Sequence, residues 1–214
     1  MRRARNICLG IDTTGNYCSV AIVDDCGILA FAVEEMSRGH AERLGLMVKD
    51  ALAKASIKVS DIDKIAVSSG PGSFTGLRVG LSFAKGLALP HSIPVVGISI
   101  LEIWAISSDP AQNGSVLACA DVRRNQVFWQ IFTNGIAETP PHLTGIDAAI
   151  TALNMQTECV GNGAHLLGAF EEQDSYVCPA RLAWIGLDRN VNTHPAIPLY
   201  HRPPDAKLPG GKSL

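Results

Sequence analysis

Three apolar segments joined by very short turns, followed by alternating helical and strand periods, constrain the fold more than any other feature. NICLGID (Asn6–Asp12), YCSVAIVD (Tyr17–Asp24) and ILAFAVEE (Ile28–Glu35) read as strands separated by TTGN and DDCG. Connections this short suit an antiparallel meander. From about Gly39 the period changes. Leu44, Met47, Val48, Ala51, Leu52 and Ala55 recur at helical spacing, which predicts an amphipathic helix. A strand (KIAVSS), a second helix, a strand (IPVVGIS) and a helix from about Leu101 to Ser107 complete the first half. The order βββαβαβα joins a meander to parallel crossovers, and such crossovers place helices on the faces of a mixed sheet.

DPAQNG (Asp109–Gly114) reads as a linker, after which the pattern partly restarts. Strands VLACAD and QVFWQIF, a helix near Ile146–Leu153, strand ECVG and a helix near Ala164–Phe170 follow. The restart predicts a duplicated α/β fold, with one domain over residues 1–108 and a smaller one over 109–214. The tail from His194 is proline-rich and reads as irregular.

The second helix carries the most unusual pattern, in SSGPGSFTGLRVGLSFAKGLAL (Ser68–Leu89). A glycine-rich turn between strand and helix is the grammar of a phosphate loop, but both familiar versions fail. GxxxxGK[ST] needs a lysine where Leu77 follows Gly76. GxGxxG needs an acid at the end of the next strand, which here ends Ile98–Ser99. The free N–H groups around Ser73 leave a generic anion site as one reading, and an ordinary N-cap at Ser73, the favoured one, explains the same residue without a ligand. Gly72, Gly76, Gly80 and Ala84 are spaced by four and form one smooth ridge. Interior glycines cost a helix roughly 1 kcal/mol each, so a close approach must offset them. Thr75, Arg78, Ser82 and Lys85 make one narrow polar stripe, while Val79, Phe83 and Leu87 flank the ridge. A helix apolar nearly all round is expected to be buried on two sides, one being its own sheet. The other side faces a second helix, either of this chain or of a partner subunit.

GIDTTG (Gly10–Gly15) ends the first strand with an acid, two hydroxyls and a glycine. In actin-like ATPases and sugar kinases such a turn meets phosphate, with the aspartate orienting magnesium. The same residues also make a polar hairpin turn in which Asp12 caps the backbone. In the second half the matching turn is ADVRRNQ, where Arg123 and Arg124 replace the expected glycine and hydroxyl. VGNGAH (Val160–His165) places glycines where an adenosine could lie. With one phosphate turn lost, tight ATP binding by this chain alone is not expected. A ribonuclease-H-type nuclease would need more carboxylates, because the fourth strand ends in Ser68–Ser69. No HExxH or HxxxH supports a metalloprotease, and no GxSxG supports a serine hydrolase. No metal and no cofactor is expected.

Charged residues make up 18% of the 214-residue chain, below the roughly 25% of average proteins, which suggests surface covered by another subunit. The net charge of −2 is not that of a free-standing nucleic-acid binder. No segment reaches the ~20 apolar residues of a membrane span, and Asp12 interrupts the apolar run after the basic start. Six cysteines without a CxxC pair read as reduced, mostly buried thiols, so a cytoplasmic protein is expected.

ICLGIDTTGNYCSVAIVDD, SRGHAERL and above all SSGPGSFTGLRVGLSFAKGLAL followed by IPVVGISILE resemble the TsaB (YeaZ) family. The likeness is close over the first half. It is looser over VLACADVRRNQVF and PLYHRPPDAK, where His201 stands in place of a common leucine. The resemblance implies an actin-like (ribonuclease H-like) two-domain fold with a reduced second domain and no transferase activity of its own. It implies a scaffold in the bacterial machinery that makes threonylcarbamoyladenosine beside the tRNA anticodon. The alternatives are an ATP-dependent kinase or hydrolase of the actin-like class and a glycoprotease-like metallopeptidase. The implied partners are a TsaD-like catalytic subunit and a TsaE-like ATPase, with a homodimer when TsaD is absent and tRNA met only through the complex. The implied interface lies on the first two helices. It comprises Leu44 and Met47 of the first, and Gly72, Ser73, Gly76, Leu77, Val79, Gly80, Phe83, Ala84 and Leu87 around the second. Asp12, Thr13 and Thr14 become a vestigial phosphate turn.

Overall fold

In the computed structural model, which describes residues 5–153, 157–168 and 176–200, the strand-rich start folds as its turns dictate. Strands β1 (Cys8–Asp12), β2 (Tyr17–Asp24) and β3 (Gly27–Glu35) form the antiparallel meander. Helix α1 (His40–Ala55) then crosses to β4 (Lys64–Gly70), and α2 (Phe74–Ala88) crosses to β5 (Val95–Ser99). β1, β4 and β5 are parallel neighbours, so the sheet order is β3-β2-β1-β4-β5. α3 (Ile100–Ser108) leads to the second sheet.

The second sheet is built from β6 (Ser115–Asp121), β7 (Gln126–Thr133), the short β8 (Ile136–Ala137), β9 (His142–Gly145) and β10 (Thr157–Val160). Its order is β10-β6-β7-β8, with β9 also pairing β7. α4 (Ile146–Ala152) packs beside it, and a 3-10 turn at Ala164–Leu167 stands where a helix to Phe170 is expected. Phe170 itself lies outside the described residues. A meander followed by parallel crossovers, with a second and smaller sheet behind it, is the actin-like (ribonuclease H-like) α/β fold.

β1 shows how one short strand serves two layers. Leu9 and Ile11 enter the cluster under α1 and α2, while Cys8 faces the opposite side. That opposite side is covered by α5 (Pro179–Asp188), a helix that the periodicity of the first half does not reveal. Gly10 lies against Pro179 and Ala183, and a Cβ on Gly186 would overlap the Ala66 methyl, so both glycines permit a close approach of helix to sheet. CPARLAWIGLD carries its own signals: proline at the first turn and apolar Leu182, Ala183 and Ile185 at helical spacing. α5 therefore belongs to the first sheet's layers, although it falls within the 109–214 segment.

One hydrophobic cluster unites both sheets. It contains Ala66 and Val96 from the first, Val116, Ala118 and Phe128 from the second, and Leu182 from α5. Seven consecutive α3 residues, Ile100–Ile106, are buried between the layers. Glu102 among them is compensated by Arg189, whose Nε donates to Oε1 at 2.9 Å while its Nη2 lies 2.7 Å from the same oxygen. After α5 the chain runs along the β5 edge. Gly97 N–H donates to the His194 carbonyl, and Leu199 N–H donates to the Ser69 carbonyl. The first bond covers part of the β5 edge, while Ser69 lies at the end of β4.

Candidate docking face and interlobe cleft

α2 begins as its sequence predicts: the Ser73 hydroxyl accepts from Gly76 N–H at 3.2 Å. Its small-residue ridge takes another course. A Cβ on Gly76 would overlap the Thr13 carbonyl oxygen, one on Gly80 would lie 2.7 Å from Thr13 Oγ1, and one on Gly72 would lie 2.6 Å from the Thr14 carbonyl. The ridge is pressed onto the turn that ends β1. Thr13 Oγ1 donates to the Gly76 carbonyl at 2.7 Å, and Ser73 N–H donates to the Thr14 carbonyl at 2.8 Å. The two features that the sequence presents separately, glycine ridge and polar turn, fit into each other.

This placement divides the residues of the expected interface between two environments. Gly76, Leu77, Gly80 and Ala84 are buried against the chain's own sheet, and Leu44 and Met47 lie in the core between α1 and the meander. A side chain already enclosed by its own domain offers no surface to a partner. Ser73 remains exposed, and Gly72, Val79, Phe83 and Leu87 remain half-buried. Beside them α1 presents Leu46, 51% exposed, which the periodicity of the buried stripe does not single out. Leu89, just past α2, is 80% exposed. The close approach of two helices is made by Gly45 of α1, where a Cβ would stand 3.6 Å from the Phe83 ring. Leu46, Val79, Phe83, Leu87 and Leu89 leave apolar surface on the outer side of the helix pair.

The Asp12–Thr14 turn is satisfied internally. Asp12 Oδ1 accepts from the Thr14 hydroxyl at 2.6 Å and from the Thr14 N–H at 3.2 Å. Asp12 is 1% exposed, and burial pushes its carboxyl above the usual carboxylate range, partly offset by the Thr14 hydrogen bonds. Cross-strand register sets it opposite Ser19 of β2, whose hydroxyl is buried without a partner among the described residues. Thr13 is fully engaged with α2, which leaves Thr14 alone of the three at a cavity wall.

That cavity is a cleft of about 770 Å³ between the crests of the two sheets. Thr14, Asn16 and Ser73 line it from the first sheet's side, and Trp104, Asp121, Arg123 and Asn162 from the other. The Asp121 turn holds itself as well. Arg123 N–H donates to Asp121 Oδ1 at 2.7 Å, and Arg123, Arg124 and Asn125 all take positive φ between 55° and 65°. Non-glycine residues there cost roughly 1 kcal/mol each, so the missing glycine is replaced at an energetic cost. Gly163 instead packs on Cys119 and Ala120, and the Asn162 side-chain carbonyl accepts from Asp121 N–H at 3.1 Å. Among the described residues, no group of three or more His, Cys, Asp or Glu side chains is placed to hold a metal ion. No helix among them is long and apolar enough to cross a membrane.

A family model described as TsaD: tRNA N6-adenosine threonylcarbamoyltransferase matches residues 31–140, just over half of the chain. The Escherichia coli (strain K12) protein named tRNA threonylcarbamoyladenosine biosynthesis protein TsaB is 40% identical over 123 residues. Those residues are 56% of this chain and 52% of the E. coli protein, so the match spans about half the length of that relative. An uncharacterised protein of Mycobacterium tuberculosis (strain H37Rv) is 34% identical over 210 residues, 93% of each chain. Among solved structures, YeaZ from Pseudomonas aeruginosa superimposes with a TM-score of 0.74 at 25% identity, covering 91% of this chain and 99% of that one. Sequence likeness to proteins named TsaB, together with an architecture shared over nearly the whole length with YeaZ, shows that the chain belongs to the TsaB/YeaZ family.

Proposed function

We propose that this chain is a non-catalytic scaffold subunit of the machinery that builds threonylcarbamoyladenosine in tRNA. It binds a TsaD-like catalytic subunit through the outer side of α1 and α2, and the pair recruits a TsaE-like ATPase. The same face pairs two copies of this chain when the catalytic subunit is absent, and tRNA is met only through the complex. The observation that carries this reading is the seating of α2 on the β1 turn. A phosphate turn whose hydroxyl and carbonyls hold a helix has little left to offer a nucleotide, whereas that helix presents Val79, Phe83 and Leu87 beside Leu46. A half-exposed aromatic amid aliphatic neighbours has the composition of an interface centre.

The test is co-purification of the chain with a TsaD-like subunit from the same cell. Phe83→Asp, at a half-buried position, is expected to abolish association and leave the fold intact. Retained association would remove α1–α2 as the docking face. The open cleft favours one second reading, an actin-like ATP-dependent enzyme. Calorimetry decides it: the scaffold reading expects no micromolar ATP affinity for the isolated chain.

A further inference from the structure

The turn at the end of β1 has no role in the proposed docking beyond its contact with α2, and that contact is unusually tight. Three α2-side residues lacking side chains, Gly72, Gly76 and Gly80, meet Thr13 and Thr14. Two hydrogen bonds cross the contact, one from a side chain and one from the backbone. Both lie within the first turn of the helix. Helix rows three and four residues apart share a face, so whatever fixes Gly76 and Gly80 also fixes the azimuth of Val79, Phe83 and Leu87. The opposite end of α2 is held differently. There the inner face carries the buried methyls of Ala84 and Ala88, while Gly86 lies on the exposed side with nothing within 4 Å of a would-be Cβ.

We infer that Thr13 is a positioning residue for partner docking, its hydroxyl setting the rotation and axial register of α2 through the Gly76 carbonyl. The inference rests on the docking reading above. Thr13 is 1% exposed, so it acts through the helix. An apolar isostere at this position keeps the volume but removes the side-chain hydrogen bond to the Gly76 carbonyl, leaving the rotation of α2 less tightly set. Shape complementarity at an interface core tolerates little such play.

The experiment measures the Kd for the TsaD-like subunit by calorimetry, at a temperature where circular dichroism shows every variant folded. Thr13→Val is expected to weaken association about tenfold, and Thr13→Ser, which restores the hydroxyl, to bring it back. Gly80→Ala, which presses on Thr13 Oγ1, is expected to weaken it as Thr13→Val does. A lower melting temperature for Thr13→Val with an unchanged Kd would show a purely structural role and overturn the inference. Phe83→Asp serves as the control for the face itself. If wild type binds and Phe83→Asp does not, an unchanged Thr13→Val sinks only the positioning role. If wild type fails to bind, both readings fall.

Discussion

The hydroxyl of Thr13 donates a 2.7 Å hydrogen bond to the backbone carbonyl of Gly76, 63 residues further along the chain. It ties the first strand to the second crossover helix at the point where the helix carries no side chain. Because Gly76 and Gly80 both face this contact, the chain holds glycine in a helix interior against its own propensity.

The three glycines of α2 should therefore not respond alike. Gly76→Ala gains about 1 kcal/mol of helix propensity but drives its methyl into the Thr13 carbonyl. Overpacking of that kind costs about 1–3 kcal/mol, and more when backbone must yield. Its melting temperature is expected to drop by roughly 5 °C. Gly86→Ala meets nothing and is expected to stabilise by about 0.5–1 kcal/mol. Scanning calorimetry of the two variants checks both signs.

Leu44 and Leu46 are neighbours on α1 with opposite fates. Leu44 is fully buried, and Leu44→Ala is expected to cost about 2–5 kcal/mol in urea unfolding. Leu46 is half exposed, and Leu46→Ala is expected to change stability by less than about 0.5 kcal/mol. Leu46→Asp is expected to break association with a TsaD-like subunit at unchanged stability. The same unfolding loss for both alanine variants would contradict this assignment of faces.

Asp12 gives a pH dependence whose sign follows from its burial. Its folded carboxyl titrates above the unfolded value of 3.8, so the folded state holds the proton more tightly. Stability from this group is then greatest below the unfolded value and declines as pH rises through the folded one. Each unit of displacement is worth about 1.4 kcal/mol. Asn keeps an acceptor for Thr14 without the charge, so Asp12→Asn is expected to raise the melting temperature at pH 7. The difference should shrink as pH falls towards 4. A variant less stable than wild type at pH 7 would show that the ionised carboxylate is held favourably.

Thiol reactivity reports the packing directly. Burial pushes the Cys8 and Cys18 thiols up to about 12, and raises Cys119 and Cys159 as well. At pH 8 a thiol with a pKa of about 12 is ionised to about one part in ten thousand. Cys26 is exposed in the β2–β3 turn and is expected to label within minutes with a maleimide, while Cys8, Cys18 and Cys119 label only on unfolding. Fast labelling of Cys8 in the native protein would refute the covering of β1 by α5.

The sequence by itself determined the local order of the molecule. Short turns imposed the meander, the change of period at Gly39 set α1, and Ser73 capped α2, because each depends on neighbours a few residues apart. It also marked Val79, Phe83 and Leu87 as distinct from the glycine ridge. Tertiary structure alone decided what that ridge touches. A stripe of small residues specifies only that something comes close, and β1, brought alongside β4 by parallel pairing, supplies Thr13 and Thr14. The burial of Leu44 and the exposure of Leu46 likewise depend on which side of α1 meets the meander. α5 needed the fold as well, since its apolar side acquires meaning only where Gly10 leaves room for it across the first sheet. Contacts between residues distant in sequence are set by how the layers stack, and one chain's residue pattern does not encode them locally.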